Sequence, residues 1–516
     1  MAAMIKSNVH AGEPVSEPIR NALKKIAQAG YQVNKTGFDF LSHITDEATL
    51  SKLVQYSIDR ANVTPEGSFI LDHEFFSSLL QEMSALEMPS PKLTPKTKEV
   101  PIAREYEPII DIKKDPTEEA SSNGTAQDFL NYFRDRYDRI EKIFKKRLDT
   151  RDAVPIAQAL KAPPKNKNKV VGIITNRRSS ENRLFIDIED KESSATILVS
   201  SNSDTMRVAQ ELLLDQIACF EVAKFKEGLL VADSIIWPEV PEREPRRSNE
   251  PLCAALISDL HVGSKLFIDK LLGKFIRWLN MDLGDEGTKQ LAGSVKYIVI
   301  AGDLVDGIGV YPEQEGELAI TNIETQYKTM ESLLSGIPDY VHLVIIPGNH
   351  DAVRKSLPQP AISKKYTERL SNDGRTRLLG DPSTVALHGV EFLISHGKAL
   401  DDVLTQVPGL DFHQPAKGME LLLRARHVSP IYGSTTPIAP RTKDWMVIES
   451  PPDVLHMGHI HIPDSKRYRD TVIINSGTWQ SQTSYQKSMG LVPIPGKIPL
   501  VDLQTLHVRF LDFNDL

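Results

Sequence analysis

Cysteine is scarce in this chain: there are 2 among 516 residues, Cys219 and Cys253. Both lie in apolar, strand-like runs and read as reduced core residues. That excludes a disulfide framework and a cysteine-type zinc site. No apolar run is long enough to cross a bilayer, and Met1 to Pro14 hold no apolar signal core. The expectation is a cytoplasmic protein with no membrane partner. Positive charge is not in excess either. Lys and Arg total 61 against 69 Asp and Glu, a net charge of −8. This argues against coating nucleic acid by bulk electrostatics, though not against a local basic groove. Apolar residues make up 40% and charged residues 25%, enough for sizeable cores. At about 150 residues per domain, the length suggests roughly three domains.

Residues 1–88 read as a helical module. Pro18 fits a first helical turn, Ile19, Leu23 and Ile26 recur at helical spacing, and Gly30 stops the helix. Leu50, Leu53, Val54 and Ile58 continue an apolar stripe, and Asp72 is placed to cap a last helix carrying Phe75, Phe76 and Leu79. Residues 89–125 interleave Pro89, Pro91, Pro95, Pro101 and Pro108 with lysines and end in Ser121-Ser122-Asn123-Gly124, the composition of a flexible linker. Residues 126–168 open with an amphipathic connecting helix whose face carries Phe129, Phe133, Tyr137, Ile140 and Phe144. Residues 169–240 show three strands, a helix and two more strands, the pattern of a five-stranded OB-type barrel. Arg177 and Arg178 add local positive charge there, read either as a DNA contact or as a solvated loop.

Five polar clusters then occupy residues 251–516. They are Asp259-Leu260-His261, Gly302-Asp303 with Asp306-Gly307, Gly348-Asn349-His350-Asp351, Ser395-His396-Gly397 and Gly458-His459-Ile460-His461. Most follow an apolar, β-branched run such as Tyr297-Ile298-Val299-Ile300-Ala301. Strands that end in Asp, His or Asn gather ligands at one edge of a sheet. Each cluster alone is weak, but burying so many ionisable groups without a cation would be very costly.

The ligand chemistry suits two divalent ions: hard carboxylates with neutral imidazoles fit manganese best, with magnesium, iron or zinc as alternatives. One ion would take Asp259, His261 and His461. The other would take Asn349, His396 and His459, with Asp303 bridging. His350 is left without a ligand role and is the expected general acid. Asp351 is expected to orient its ring and raise its pKa. Asp306 reads as a turn residue, and Gly302, Gly348 and Gly458 as sites of sharp backbone turns. Arg424 and Arg426, with Lys417 and Arg441, line either a phosphate track or a solvated face.

Taken in order, D-x-H, G-D-x-x-D, G-N-H-D, S-H-G and G-H-x-H resemble the calcineurin-like metallophosphoesterase family over roughly residues 253–515. The helical module, linker, barrel and these clusters together look like the small subunits of archaeal D-family DNA polymerases. Asn475-Ser476-Gly477-Thr478-Trp479-Gln480 adds to that likeness. The resemblance implies a multidomain α+β protein whose C-terminal domain has two mixed β-sheets flanked by helices. It implies a metal-dependent 3′→5′ exonuclease that proofreads, releasing 5′-mononucleotides from single-stranded or mismatched 3′ ends. It also implies a large polymerising subunit as partner, with the sliding clamp as a further candidate. In related eukaryotic subunits the ligands are lost and the domain is a scaffold. Here every ligand position of the pattern is filled, which favours an active nuclease over a scaffold. The barrel argues against a stand-alone phosphodiesterase.

Overall fold

The computed structural model describes residues 16–44, 46–63, 70–86, 100–119, 124–180, 183–200 and 204–516. The chain divides into two units, Met1–Glu99 and Val100–Leu516. In the first, helices Glu17–Gln28, Lys35–Ser42, Glu47–Val63 and His73–Leu86 share a core that includes Ile26, Leu41, Leu53 and Phe76. Local signals set their ends. Asn34 Oδ1 accepts from Gly37 N at 2.9 Å, and Asp72 Oδ1 accepts from Phe75 N at 3.0 Å, each satisfying a free helix N–H. Two short strands, Gln32–Val33 and Ile70–Leu71, pair in parallel.

The second unit contains two six-stranded sheets and a closed five-stranded barrel. In the first sheet, Thr376–Leu378, His342–Ile346, Val295–Ala301 and Cys253–Ile257 run parallel. Lys497–Asp502 and Val508–Asp512 complete it antiparallel. In the second, Val390–Ile394, Val454–Met457 and Thr471–Asn475 are the parallel centre. These central strands are buried along their length, so they read as continuous apolar runs rather than alternating ones. Ile257, Ile300, Phe392, Ile394, Val472 and Ile474 belong to one core shared by both sheets. Leu393, Leu455 and Ile473 point the other way. They join a second core with helices Leu400–Gln406 and Pro415–Arg424 and with barrel residues Ile174, Ile186 and Phe220.

The barrel strands are Lys167–Ser180, Arg183–Glu189, Ser194–Val199, Ile217–Lys226 and Leu229–Ile236. The third and fifth are parallel neighbours, and the first and fourth close the ring. The helix Asp204–Glu211 falls between the third and fourth strands.

The linker expectation is corrected in part. Pro89, Pro91, Pro95 and Ser121-Ser122-Asn123 lie outside the described residues, but residues 100–119 are not a flexible linker. Ile110–Lys114 is the edge strand of the second sheet, pairing Ile110 with Leu387 and Ile112 with Val385. Its short apolar alternation, embedded among prolines, is the strand signal that the surrounding composition masks.

Among the described residues, no helix is long and apolar enough to cross a membrane.

Candidate metal centre

Parallel register brings the five clusters together. Ile300 lies opposite Ile257, Ala301 opposite Ile346, and Ile394 opposite His456. The loops leaving these strands therefore start at matching heights. They then bond to one another: Asp259 N donates to Gly302 O (3.0 Å), His261 N to Asp303 O (3.1 Å) and Gly458 N to His396 O (2.9 Å).

The ligand loops are conformationally unusual. Asp259, His261, Asp303 and His459 all have positive φ, between 52° and 67°. Side-chain-bearing residues avoid this region at a cost of about 1–2 kcal/mol each. Among the described residues, four of the thirteen non-glycine residues with positive φ are thus candidate ligands. The glycines expected to supply the turns divide in role. Gly302 has φ +87°, but Gly348 and Gly458 are required for space. A Cβ on Gly348 would lie 2.1 Å from Asp303 Oδ1.

Asp259, His261 and His461 converge as one group able to hold an ion, and Asp303, His396 and His459 as another. His461 Nε2 is 3.4 Å from Asp259 Oδ1, and His261 Nε2 is 3.2 Å from His461 Nε2. His396 Nε2 is 3.3 Å from Asp303 Oδ2 and 3.0 Å from Asn349 Oδ1. Asp303 Oδ2 is also 3.8 Å from His261 Nε2, so this carboxylate lies between the two groups. Asp259 Oδ1 is buried and has no hydrogen-bond partner. A buried, unpartnered carboxylate oxygen facing imidazole nitrogens fits a divalent cation.

Second partners fix the rings. Asp306 Oδ1 lies 3.1 Å from His261 Nδ1, His396 Nδ1 is 2.8 Å from Ala301 O, and His459 Nε2 is 3.0 Å from Asp401 Oδ1. Tethers of this kind set which nitrogen is free for a metal. Asp306 is therefore no exposed turn residue: it is 1% exposed and holds a candidate ligand. Its signal was the G-D-x-x-D spacing. Asp401 had no comparable signal.

The charges respond to this crowding. Burial alone would raise the Asp259 carboxyl, but the facing imidazoles of His261 and His461 hold it well below the usual carboxylate range. Burial opposes charge on His261, yet the facing carboxylates of Asp259 and Asp306 push its pKa up to about 10. His396, facing Asp303, is likewise pushed up to about 10 against its burial.

His350 and Asp351 depart from expectation. Asp351 does not orient the His350 ring. Its carboxylate accepts from Gly348 N (2.9 Å), Leu304 N (3.3 Å) and the Tyr327 hydroxyl (3.0 Å). It is a buried staple for the loop, and burial pushes its own pKa up to about 6. His350 Nδ1 lies 2.7 Å from the backbone carbonyl of Asp306 instead. Burial lowers the His350 pKa to about 4, opposite to the expected direction. The ring still stands at the centre, 4.6 Å from that of His261.

The four arginines expected at DNA do not gather at the site. Arg426 is 3% exposed, with its guanidinium on the carbonyls of Ile448, Glu239 and Glu449. Arg424 stacks 4.6 Å over Trp237 and pairs with Glu211 and Glu239. These two are corrected to internal joints between the end of helix Pro415–Arg424 and the segment leaving the barrel: their donors are already committed to protein acceptors. Arg177 donates to Leu212 O and Gln210 O. Arg178 is exposed but bridged to Asp187 at 2.9 Å.

The family of DNA polymerase alpha/epsilon B subunits matches residues 254–465. Curated relatives extend further. The DNA polymerase II small subunit of Pyrococcus furiosus is 36% identical over 445 residues, covering 84% of this chain and 73% of the relative. That of Archaeoglobus fulgidus is 38% identical over 443 residues, covering 86% and 88%. That of Methanothermobacter thermautotrophicus is 33% identical over 494 residues, covering 95% and 99%. Among solved structures, an archaeal phosphodiesterase aligns over 50% of this chain and 99% of its own, at 15% identity and a TM-score of 0.26, too low a score to bear on function.

Proposed function

The chain belongs to the small-subunit family of archaeal DNA polymerase II, and on that premise we propose that it carries a metal-dependent 3′→5′ exonuclease. The activity hydrolyses the terminal phosphodiester, releases a 5′-mononucleotide and proofreads for a large polymerising subunit. We assign the two-sheet domain to the calcineurin-like phosphoesterase type and the barrel to the OB type. The observation that carries the reading is the convergence of Asp259, His261 and His461 on one side of Asp303 and of Asn349, His396 and His459 on the other, with a buried Asp259 oxygen that has no hydrogen-bond partner. A non-catalytic scaffold would have no use for that set.

Asp259, His261 and His461 would hold one divalent ion, and Asn349, His396 and His459 the other, with Asp303 shared. When bound, the ions supply Lewis-acid activation of water and neutralise charge on the phosphoryl oxygens. The protein does the positioning. Asp306, Asp401 and the Ala301 carbonyl hold His261, His459 and His396 in place. His350 keeps its Nδ1 proton on the Asp306 carbonyl. Nε2 is then the nitrogen left to exchange a proton with the departing 3′ oxygen. Burial holds the resting ring neutral, and contact with a phosphate anion favours its protonation.

The test is digestion of a 3′-labelled oligonucleotide with manganese. Asp303→Ala and His350→Ala should each abolish release of the terminal nucleotide while circular dichroism stays unchanged. Undiminished digestion by His350→Ala overturns the assignment.

A further inference from the structure

The segment following Gly348-Asn349-His350-Asp351 is fixed at both ends. Gln359 Nε2 donates to Gly348 O (3.3 Å) and Arg354 O (2.9 Å). The Gln359 backbone pairs with Asp381 at 2.8 and 3.0 Å. Arg354 Nε turns back onto Pro358 O at 2.8 Å. Between these anchors Lys355 is exposed, and its Nζ donates to the carbonyl of Asn349. An ammonium has three donors, so that contact leaves capacity for an anion.

The carbonyl that Lys355 holds joins Asn349, a candidate ligand, to His350, the residue assigned to the leaving oxygen. On the leaving side of a 3′→5′ cut, the strand continues with its phosphates. On the other side lies a nucleoside ending in a hydroxyl. Any phosphate beyond the scissile one that a cation beside His350 can meet therefore belongs to the remaining strand. We propose that Lys355 binds the phosphodiester next to the scissile one, on the side of the departing 3′ oxygen, and so sets the register of the strand over the metals. This rests on the exonuclease reading above and adds to it a substrate-binding residue and a strand direction.

The test uses the full chain with its large subunit and single-stranded oligonucleotides. One substrate is all-phosphodiester. The other carries a neutral methylphosphonate at the linkage next to the scissile bond. The wild-type protein should lose kcat/KM by roughly tenfold on the neutral substrate, the scale of one charge-assisted hydrogen bond. Lys355→Gln should lose a similar factor on the ordinary substrate and little more on the neutral one. Lys355→Arg should keep the discrimination, and calorimetric Mn2+ affinity should be the same in Lys355→Gln as in wild type. If Lys355→Gln still discriminates tenfold, or if it binds Mn2+ more weakly, the phosphate contact is overturned and Lys355 is only a support for Asn349. A wild-type protein inert on both substrates overturns the exonuclease reading, and this inference with it.

Discussion

The Asp306 carboxylate stands 3.1 Å from His261 Nδ1 while its own backbone carbonyl stands 2.7 Å from His350 Nδ1. One residue thus positions a candidate ligand through its side chain and the candidate proton donor through its main chain. Gln480 and Gln314 hold the carboxylate in turn, at 3.1 and 3.0 Å. Asp306→Asn keeps the main-chain contact and removes the negative charge behind His261. Metal affinity should fall about 10–100-fold, the usual cost of losing such a support. Calorimetric titration with Mn2+ checks this, and an unchanged affinity would show that His261 needs no carboxylate behind it.

Metal binding should also depend on pH in a defined direction. His261 and His396 both have their pKa pushed up to about 10 by facing carboxylates. Ligation requires the neutral imidazole, so an incoming cation must displace these protons. Affinity should rise as pH rises toward 10, and binding at neutral pH should release protons. Titrations in buffers of different ionisation enthalpy measure that release. A binding enthalpy independent of buffer would mean that no proton leaves.

The site was legible in the sequence because each cluster follows a strand, and strand order is fixed by parallel register. Asp259 to His461 could be named without coordinates for that reason. The supports were not legible. Asp401 reaches His459 from a helix, and no spacing rule links the two. Asp351 sits beside His350 in sequence, yet its side chain turns away into the buried Tyr327 and Gly348 contacts. Adjacency in a loop does not specify which way a carboxylate points. The arginines misled for the opposite reason. Arg424 and Arg426 look like a basic patch when read linearly, but fold onto Trp237, Glu239 and Ile448. The strand Ile110–Lys114 was hidden by proline-rich surroundings that resemble a linker.

Gly458 is a sharper probe of the centre than the ligands themselves. A Cβ there would lie 2.4 Å from Ser258 Oγ and 2.6 Å from Asp259 Oδ2. Both atoms are buried, so relief requires moving the Asp259 carboxylate. Gly458→Ala should therefore weaken metal binding and activity together although no donor is removed. Overpacking costs typically 1–3 kcal/mol, so the fold should survive with a lowered Tm. A variant with normal Mn2+ affinity would show that the Asp259 loop can yield without loss.

Away from the metals, Asp444 joins the long helix Ala126–Lys145 to the second core. Its Oδ2 accepts from Arg136 Nε at 2.7 Å and from His427 Nε2 at 2.8 Å. His427 Nδ1 accepts from Ser429 N at 3.1 Å, so the ring is held in one neutral tautomer with no site left for a second proton. Burial first, then the charge of Arg136, lowers its pKa from 6.5 to about 4. Below 6.5 the unfolded chain takes up a proton that the folded chain refuses. Stability is therefore lost as pH falls from 6.5 toward 4, by about 1 kcal/mol per unit from this group, and is unaffected above that window. Urea unfolding at pH 6.5 and one unit below, for wild type and His427→Gln, isolates the effect from the carboxylates common to both. The wild type should lose about 1 kcal/mol more than the variant over that interval. Equal losses would mean that the ring accepts a proton in the folded state, and that the Ser429 contact yields to it.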